Sequence, residues 1–282
     1  MEPFNQRQAD QEAKAPLSIT IRPLQYDDIE SCSKITAAAF DEDPHTVVKQ
    51  LGSNGYDMLA MTYDSLLNNL SKKNYIHVKA VNGETGEIIG HASWAFRGVD
   101  DPTLIPWDGP SDAKPEAPVA LSGNARLKDE DKDEDAEKRG GASSIDTLHA
   151  LEDADMQSWL SQIPSDKPCI FVIGLIVSPS HQHRGVGTHL LQHGNAIADK
   201  LGMPIWVHSS HQAYGMYKRS RFEVVRTLEI DLDEYAPRGP MAGEPIMPSE
   251  SGHEDADGNE KRNRWGMYII RYMKREPNVE SS

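Results

Sequence analysis

Two cysteines in 282 residues, Cys32 and Cys169, are too few and too far apart for a disulfide framework or a four-thiolate zinc site. Reduced thiols fit an intracellular protein. Positive charge is also scarce: 29 Lys and Arg face 44 Asp and Glu, a net charge of −15. A surface of that sign repels phosphate backbones and anionic lipid, so neither nucleic acid nor a membrane is expected as a partner. Long apolar runs are missing as well, and the longest, Cys169–Val177, is far too short to span a bilayer. The opening residues Met1-Glu2-Pro3-Phe4-Asn5 have neither the apolar stretch of a signal peptide nor the acid-poor look of a transit peptide. The expectation is a soluble, cytoplasmic chain of one or two domains, long enough for a substantial core.

The negative charge is concentrated. Residues 100–167 carry a net −10 and residues 231–260 a net −8, while the rest of the chain is net +3. Both acidic stretches interrupt otherwise periodic sequence. Residues 100–142 are rich in Pro, Asp, Gly and Ala and include the run Lys128–Asp135, which predicts a disordered or partly ordered insertion. Residues 233–262 predict a long acidic loop, and 1–16 and 276–282 predict tails.

Between these segments the elements alternate. Ser18–Arg22 reads as a strand closed by Pro23, and Asp27 with Glu30 has capping-box spacing for an amphipathic helix over 27–40. Pro44 opens a short helix, and Leu59, Tyr63, Leu66, Leu67 and Leu70 mark a further helical face. Tyr75–Val81 and Ile88–Phe96, joined by Asn82-Gly83-Glu84-Thr85-Gly86, predict an antiparallel hairpin. A helix is expected over 144–161, and Cys169–Val177 reads as a central strand covered on both faces. A helix follows over 186–201, stopped by Gly202 and Pro204, then a strand at Ile205–Val207, a helix over 213–219 and strands at Phe222–Leu232 and Trp265–Tyr272. That order is α+β with mixed strand direction, forming one domain over 17–275.

The chemistry concentrates after the central strand. In Leu175–Leu191 a buried strand ends, and a short loop with Gly185 and Gly187 feeds a helix. The first-turn N–H groups of that helix lack internal partners, and with the helix dipole they form an anion site that glycine lets a phosphate approach. Gln182, His183 and Arg184 add side-chain donors, Arg184 with a fixed charge. Other phosphate loops fit badly. A Rossmann loop needs a third glycine where this chain has Leu190, and the Gly-Lys-Ser/Thr of a P-loop is absent.

The whole stretch, with Gln182-His183-Arg184-Gly185-Val186-Gly187 at its centre, resembles the acetyl-CoA-binding motif of the GNAT (Gcn5-related N-acetyltransferase) family. Further on, Ala213–Phe222 is similar to that family's second signature, and the element order matches the GNAT fold: a mixed, mostly antiparallel sheet flanked by helices, with a V-shaped splay at the cofactor site. The long insertion, the run 198–202 and Ser209-Ser210 look like fungal small-molecule members.

The resemblance implies an acetyl-CoA-dependent N-acetyltransferase. The backbone of Leu175, Ile176 and Val177 would pair with the pantetheine arm as an added strand does. Gln182, His183, Arg184, Gly185, Val186, Gly187 and Thr188 would hold the pyrophosphate, and Ser210 would take the place of an Asn that hydrogen-bonds the arm in many members. Tyr217 would be the general acid. A phenol with pKa of about 10 stays protonated near neutrality and can protonate the leaving thiolate.

Two features depart from the family. Arg221 stands where a Gly precedes Phe222, and would be strained if that position takes a positive φ. The strand before Leu175 has Phe171 and Ile173 where some members place a basic side chain. That leaves His208, His91 or a water chain to deprotonate the amine, with His208 the residue singled out here. His189 and His193 lie one helical turn apart with no third ligand in view, so no metal is expected. Trp94 and Phe96 alternate to one face, either lining an acceptor pocket or packing in the core.

The expected partner is a small-molecule amine, cationic if the acidic segments steer it, for a monomer or homodimer. Acetylation of a protein or peptide, or a non-catalytic acetyl-CoA-binding module, are the alternatives.

Overall fold

The computed structural model describes residues 17–53, 55–115, 143–248 and 264–278. The elements run β1 (Ile19–Pro23), α1 (Ile29–Phe40), α2 (Pro44–Gln50), α3 (Met58–Asn69), β2 (Tyr75–Asn82), β3 (Ile88–Arg97), α4 (Ser144–Gln162), β4 (Cys169–Val177), α5 (Val186–Leu201), β5 (Ile205–Ser209), α6 (Tyr214–Arg219), β6 (Glu223–Asp231), α7 (Leu232–Tyr235) and β7 (Met267–Arg275). The strands form a seven-stranded sheet in the order β1-β2-β3-β4-β5-β7-β6. The β4–β5 pair is parallel and the other five are antiparallel. This is the open α+β sheet expected. No helix among the described residues is long and apolar enough to cross a membrane.

Local sequence explains most of the boundaries. Asp43 caps α2, accepting from the Thr46 N–H at 3.0 Å with Pro44 in the first turn. Ser143 and Asp146 form a reciprocal capping box at α4. Gly202, at φ 64°, ends α5. The first capping box lies two residues earlier than the Asp27–Glu30 spacing predicts. Gln25 and Asp28 close it around a 3-10 turn at Tyr26–Asp28, and α1 starts at Ile29. The last strand starts at Met267 rather than Trp265, because Gly266 takes φ 87° and Trp265 turns inward, fully buried.

The sheet separates two sides. On one side α5 lays Leu190 and Leu191 over Trp94 and Phe96 of β3 and Ile205 and Val207 of β5. Trp94 and Phe96 are therefore core residues, not pocket walls. On the other side α4 packs Trp159 near Phe171, Trp206 and Tyr272, while α1 and α3 bury Cys32, Leu66 and Leu70.

The acidic segments are partly built into this body. Asp112 accepts from the N–H groups of Tyr26 and Asp27, and Ile105 is buried in the α5-side core. Residues 116–142, with the charged run, lie outside the described residues, as do 1–16, 249–263 and 279–282. In the second segment Arg238 and Glu244 pair bidentately, and Met247 donates its N–H to the Trp265 carbonyl.

Arg221 sits at φ 66°, in the left-handed region. A non-glycine residue there costs about 1–2 kcal/mol, while glycine adds back up to about 1 kcal/mol of unfolded-state entropy. Arg221→Gly is expected to stabilise the fold by about 0.5 kcal/mol. A denaturant midpoint that is unchanged or lower would show that the loop is not strained.

Candidate active site

The opening in the sheet is set by the register of β4. Parallel pairing with β5 covers Ile170, Phe171 and Val172, opposite Ile205, Trp206 and Val207, and then stops. β3 continues to pair with β4 on its other edge as far as Val177, with a bulge at Ile173, since Ser93 faces Gly174 and Trp94 faces Val172. From Gly174 to Val177 the β4 edge that faces the splay has no strand partner among the described residues. Leu175, Ile176 and Val177 are brought to this edge, where an extended ligand can add as a strand does.

The β4–α5 loop carries two left-handed residues, His183 at φ 57° and Gly185 at φ 85°. Gly185 caps α5, and the first intrahelical bond runs from the His189 N–H to the Gly185 carbonyl at 3.0 Å. The N–H groups of Val186, Gly187 and Thr188 therefore lie in the unpaired first turn. Gly187 is needed for closeness. A Cβ there would lie 3.0 Å from Met216 Sδ and 3.5–3.6 Å from the side chains of Val177 and Leu175. The loop is tied to β4 by Gln182, whose Nε2 donates to the Val177 carbonyl at 3.4 Å. Arg184 has no carboxylate partner among the described residues. His189 donates through Nδ1 to the Gly185 carbonyl, and His193 lies against Trp94.

Tyr217 comes from α6, on the far side of the splay. It is 3% exposed and packs edge-on against Phe222, with ring centroids 5.2 Å apart. Its hydroxyl has no hydrogen-bond partner among the described residues. Burial pushes its pKa well above the usual phenol value, so it stays protonated near neutrality. Ser210 accepts from the Ala213 N–H at 3.3 Å, which fixes the turn into α6 and leaves its O–H free to donate.

A cavity of about 580 Å³ joins the open β4 edge to Ser210 and Tyr217. It reaches from Tyr217 and Ser210 past Gly174–Ile176 to a polar end walled by α1, α2, α3 and α4. His208 opens into it from β5 beside Tyr272, with ring centroids 5.3 Å apart. Although open to cavity water, the ring is surrounded by protein. Desolvation lowers its pKa to about 4, with the charges of His45 and Lys49 acting the same way and Glu152 and Asp155 opposing. His208 is therefore neutral at physiological pH. His91 is 2% exposed, its Nε2 bonded to Thr36 Oγ1 at 2.9 Å, and burial lowers its pKa to about 4.

The polar end holds residues that sequence reading did not single out. Glu152 of α4 bonds His45 and, at 2.6 Å, Lys49, both on α2. Burial would raise its pKa, but the hydrogen bond and charge of His45 and those of Lys49 bring it down to about 2. Tyr268 of β7 stacks on His45 with centroids 4.6 Å apart. Glu152 lies more than a hundred residues from its α2 partners, so no local spacing could have paired them.

An open β4 edge and a buried phenol line one cavity, and the glycine-loop helix terminus follows at the end of the same strand. Such an arrangement could hold a long phosphorylated arm along β4, with the anion site of the α5 terminus at one end and the splay at the other. Residues 129–222, about a third of the chain, match the family model described as "Acetyltransferase (GNAT) family". Similar solved structures include insect arylalkylamine N-acetyltransferase 7, as it is assigned, from the yellow fever mosquito. It is 14% identical with a TM-score of 0.51, over 92% of this chain and 87% of that one. A Drosophila melanogaster polyamine N-acetyltransferase is 18% identical over 92% and 100% of the chains, with a TM-score of 0.49. A Corynebacterium glutamicum protein described as histone acetyltransferase HPA2 and related acetyltransferase is 19% identical over 94% and 100%, with a TM-score of 0.48. At these identities the likeness is one of fold. No curated protein matches the sequence. Residues 129–222 are thus similar to the GNAT acetyltransferase family, whose co-substrate is acetyl-CoA, and the fold is similar to that of a solved N-acetyltransferase.

Proposed function

We propose that the protein transfers the acetyl group of acetyl-CoA directly to the primary amine of a small, cationic acceptor. The observation that carries this reading is one continuous cavity, which reaches from the Tyr217 phenol past the β4 edge to a polar end lined by α2 and α4. A small amine can enter from that end while the thioester arm lies along β4.

In this reading the first turn of α5 and Arg184 hold the pyrophosphate, and the β4 edge at Leu175–Val177 binds the arm. Acetyl-CoA supplies an activated acyl group. A β4 N–H polarises its carbonyl and stabilises the developing negative charge. Tyr217 donates its proton to the departing sulfur. The ammonium must lose a proton before attack, and the acceptor side offers neutral imidazoles for it, His208 among them. Charge favours a cationic acceptor: the cavity is lined by Asp43, Glu152 and Asp153 against the single permanent cation Lys49. Two free, buried thiols, Cys32 and Cys169, fit a cytoplasmic setting.

The test is thiol release from acetyl-CoA with a panel of polyamines, arylalkylamines, amino sugars and peptides. Turnover is expected with small cationic amines and not with peptides. A protein that binds acetyl-CoA and releases thiol with none of these acceptors would be a binding module instead.

A further inference from the structure

One row of residues on the acceptor side of the sheet has no structural task that explains it. His77 of β2 pairs in register with Ser93 of β3, and Ser93 with Gly174 of β4. The three residues form a line across three strands that ends at the splay, beside the bulge at Ile173. His77 Nδ1 lies 2.7 Å from Ser93 Oγ. Gly174 has no side chain to screen Ser93 from the open edge, and all three line the cavity. Both polar side chains are 7% exposed, so a hydroxyl and an imidazole are buried together where apolar residues would pack at less desolvation cost.

We propose that Ser93 is the catalytic group that receives the proton of the attacking ammonium and passes its own to His77, the pair acting as the base for acetyl transfer. This rests on the acetyltransferase reading above. Ser93 Oγ takes one proton from the nitrogen while its own hydrogen moves to His77 Nδ1. The freed amine lone pair forms the C–N bond. As the C–S bond breaks, its electron pair leaves with sulfur, which Tyr217 protonates. The nitrogen sheds a second proton, which restores Tyr217, and His77 later returns the first to solvent. One proton is released per amine acetylated.

The surroundings of His77 favour this role over His208. The Asn69 carbonyl, at the end of α3, lies by the ring and supports its protonated form, as does the negative end of that helix. Desolvation is the larger effect and lowers the resting pKa to about 4, so the ring starts neutral and able to accept. The same desolvation acts on an ammonium brought into the cavity, which narrows the gap between donor and acceptor. From β3, His91 opposes a charge on His77 and is itself neutral at rest. From β2, Tyr75 stacks on the ring, 5.7 Å between centroids, and Lys79 is neutralised by Asp28. Beyond α3, Lys72 lies over Tyr75. From α1, Thr36 is uncharged and bonds His91. His208, in contrast, has no hydroxyl partner among the described residues, and the charges around it are mixed, Glu152 and Asp155 favouring its protonation while His45 and Lys49 oppose it.

The experiment is the pH profile of kcat and KM between pH 6 and 10 for the wild type, Ser93→Ala, His77→Gln and the double variant, with the best amine of the panel. At pH 7 each single variant is expected to lose about 100-fold in kcat, the scale of one general base, while KM for acetyl-CoA stays within twofold. The double variant should lose no more than the worse single one, because the pair works as a unit. The deficit should shrink towards pH 10, where the amine arrives already neutral. His208→Gln should not show this pH-dependent rescue. Losses below threefold in both variants, additive losses or a pH-independent deficit would overturn the relay while leaving the acetyltransferase intact. A wild type that binds acetyl-CoA and acetylates no amine would overturn both. Should Ser93→Ala lose its cooperative melt, His77→Gln carries the same test, since its amide can still bond Ser93 but cannot accept the proton.

Discussion

Tyr217→Phe is expected to lower kcat by about 100- to 1,000-fold while leaving KM for acetyl-CoA and the melting temperature nearly unchanged. The expectation of intact folding comes from the contacts. The ring is 3% exposed and packs edge-on against Phe222, contacts that phenylalanine keeps. The hydroxyl has no partner among the described residues, so removing it breaks no hydrogen bond. The loss in kcat comes from the leaving group. Without a donor, a thiolate must depart into a cavity wall from which water is largely excluded. Because burial raises the Tyr217 pKa, the phenol stays protonated well past the pH at which a free tyrosine ionises, so the wild type should show no alkaline decline in kcat near pH 10 from this residue. Measured kcat for the variant within threefold of wild type would remove Tyr217 from the proton path and leave solvent as the donor.

How much of this was readable beforehand follows from the range of the interactions. Local interactions were legible: the α5 boundaries, its Gly202 stop and the β2–β3 hairpin follow from periodicity and turn chemistry. The loop and helix terminus proposed for the cofactor were legible too, because they lie within a dozen consecutive residues, Gln182 to Thr188. The acceptor half was not. Its groups come from α2, α4, β2, β3 and β5, and only the sheet order brings His77, Ser93 and Gly174 into one line. His208 was singled out because it sits two residues from Ser210, whereas Glu152 and His45 are joined across 107 positions. The tryptophan on β3 was ambiguous for the same reason: alternation says that Trp94 and Phe96 share a face but not which helix covers it.

That helix supplies the second large effect. Gly194→Ala is expected to destabilise the fold by about 2 kcal/mol and to raise KM for acetyl-CoA. A Cβ at residue 194 would lie 2.5 Å or less from three atoms of the Trp94 indole, far inside contact distance. Trp94 is 1% exposed and wedged between β3 and α5, so it has nowhere open to move. Its Nε1 is buried without a partner among the described residues, and any shift must still leave that N–H out of water. Overpacking of this kind costs about 1–3 kcal/mol or more, from which a helix-propensity gain of up to about 1 kcal/mol must be subtracted. The consequence for binding is geometric. Gly194 and Gly187 lie on the same helix, and α5 cannot lift off Trp94 in its middle without tilting the first turn that faces the pyrophosphate. Gly187 has little tolerance for such a tilt, being already held against Met216, Val177 and Leu175. Trimming the indole should relieve the clash, so Trp94→Phe combined with Gly194→Ala should be less destabilised than the sum of the two single variants. Equilibrium unfolding of the four proteins gives that coupling directly. Strict additivity would mean that α5 and Trp94 do not contact one another at this position, and that the pyrophosphate site is not held in place by the packing beneath it.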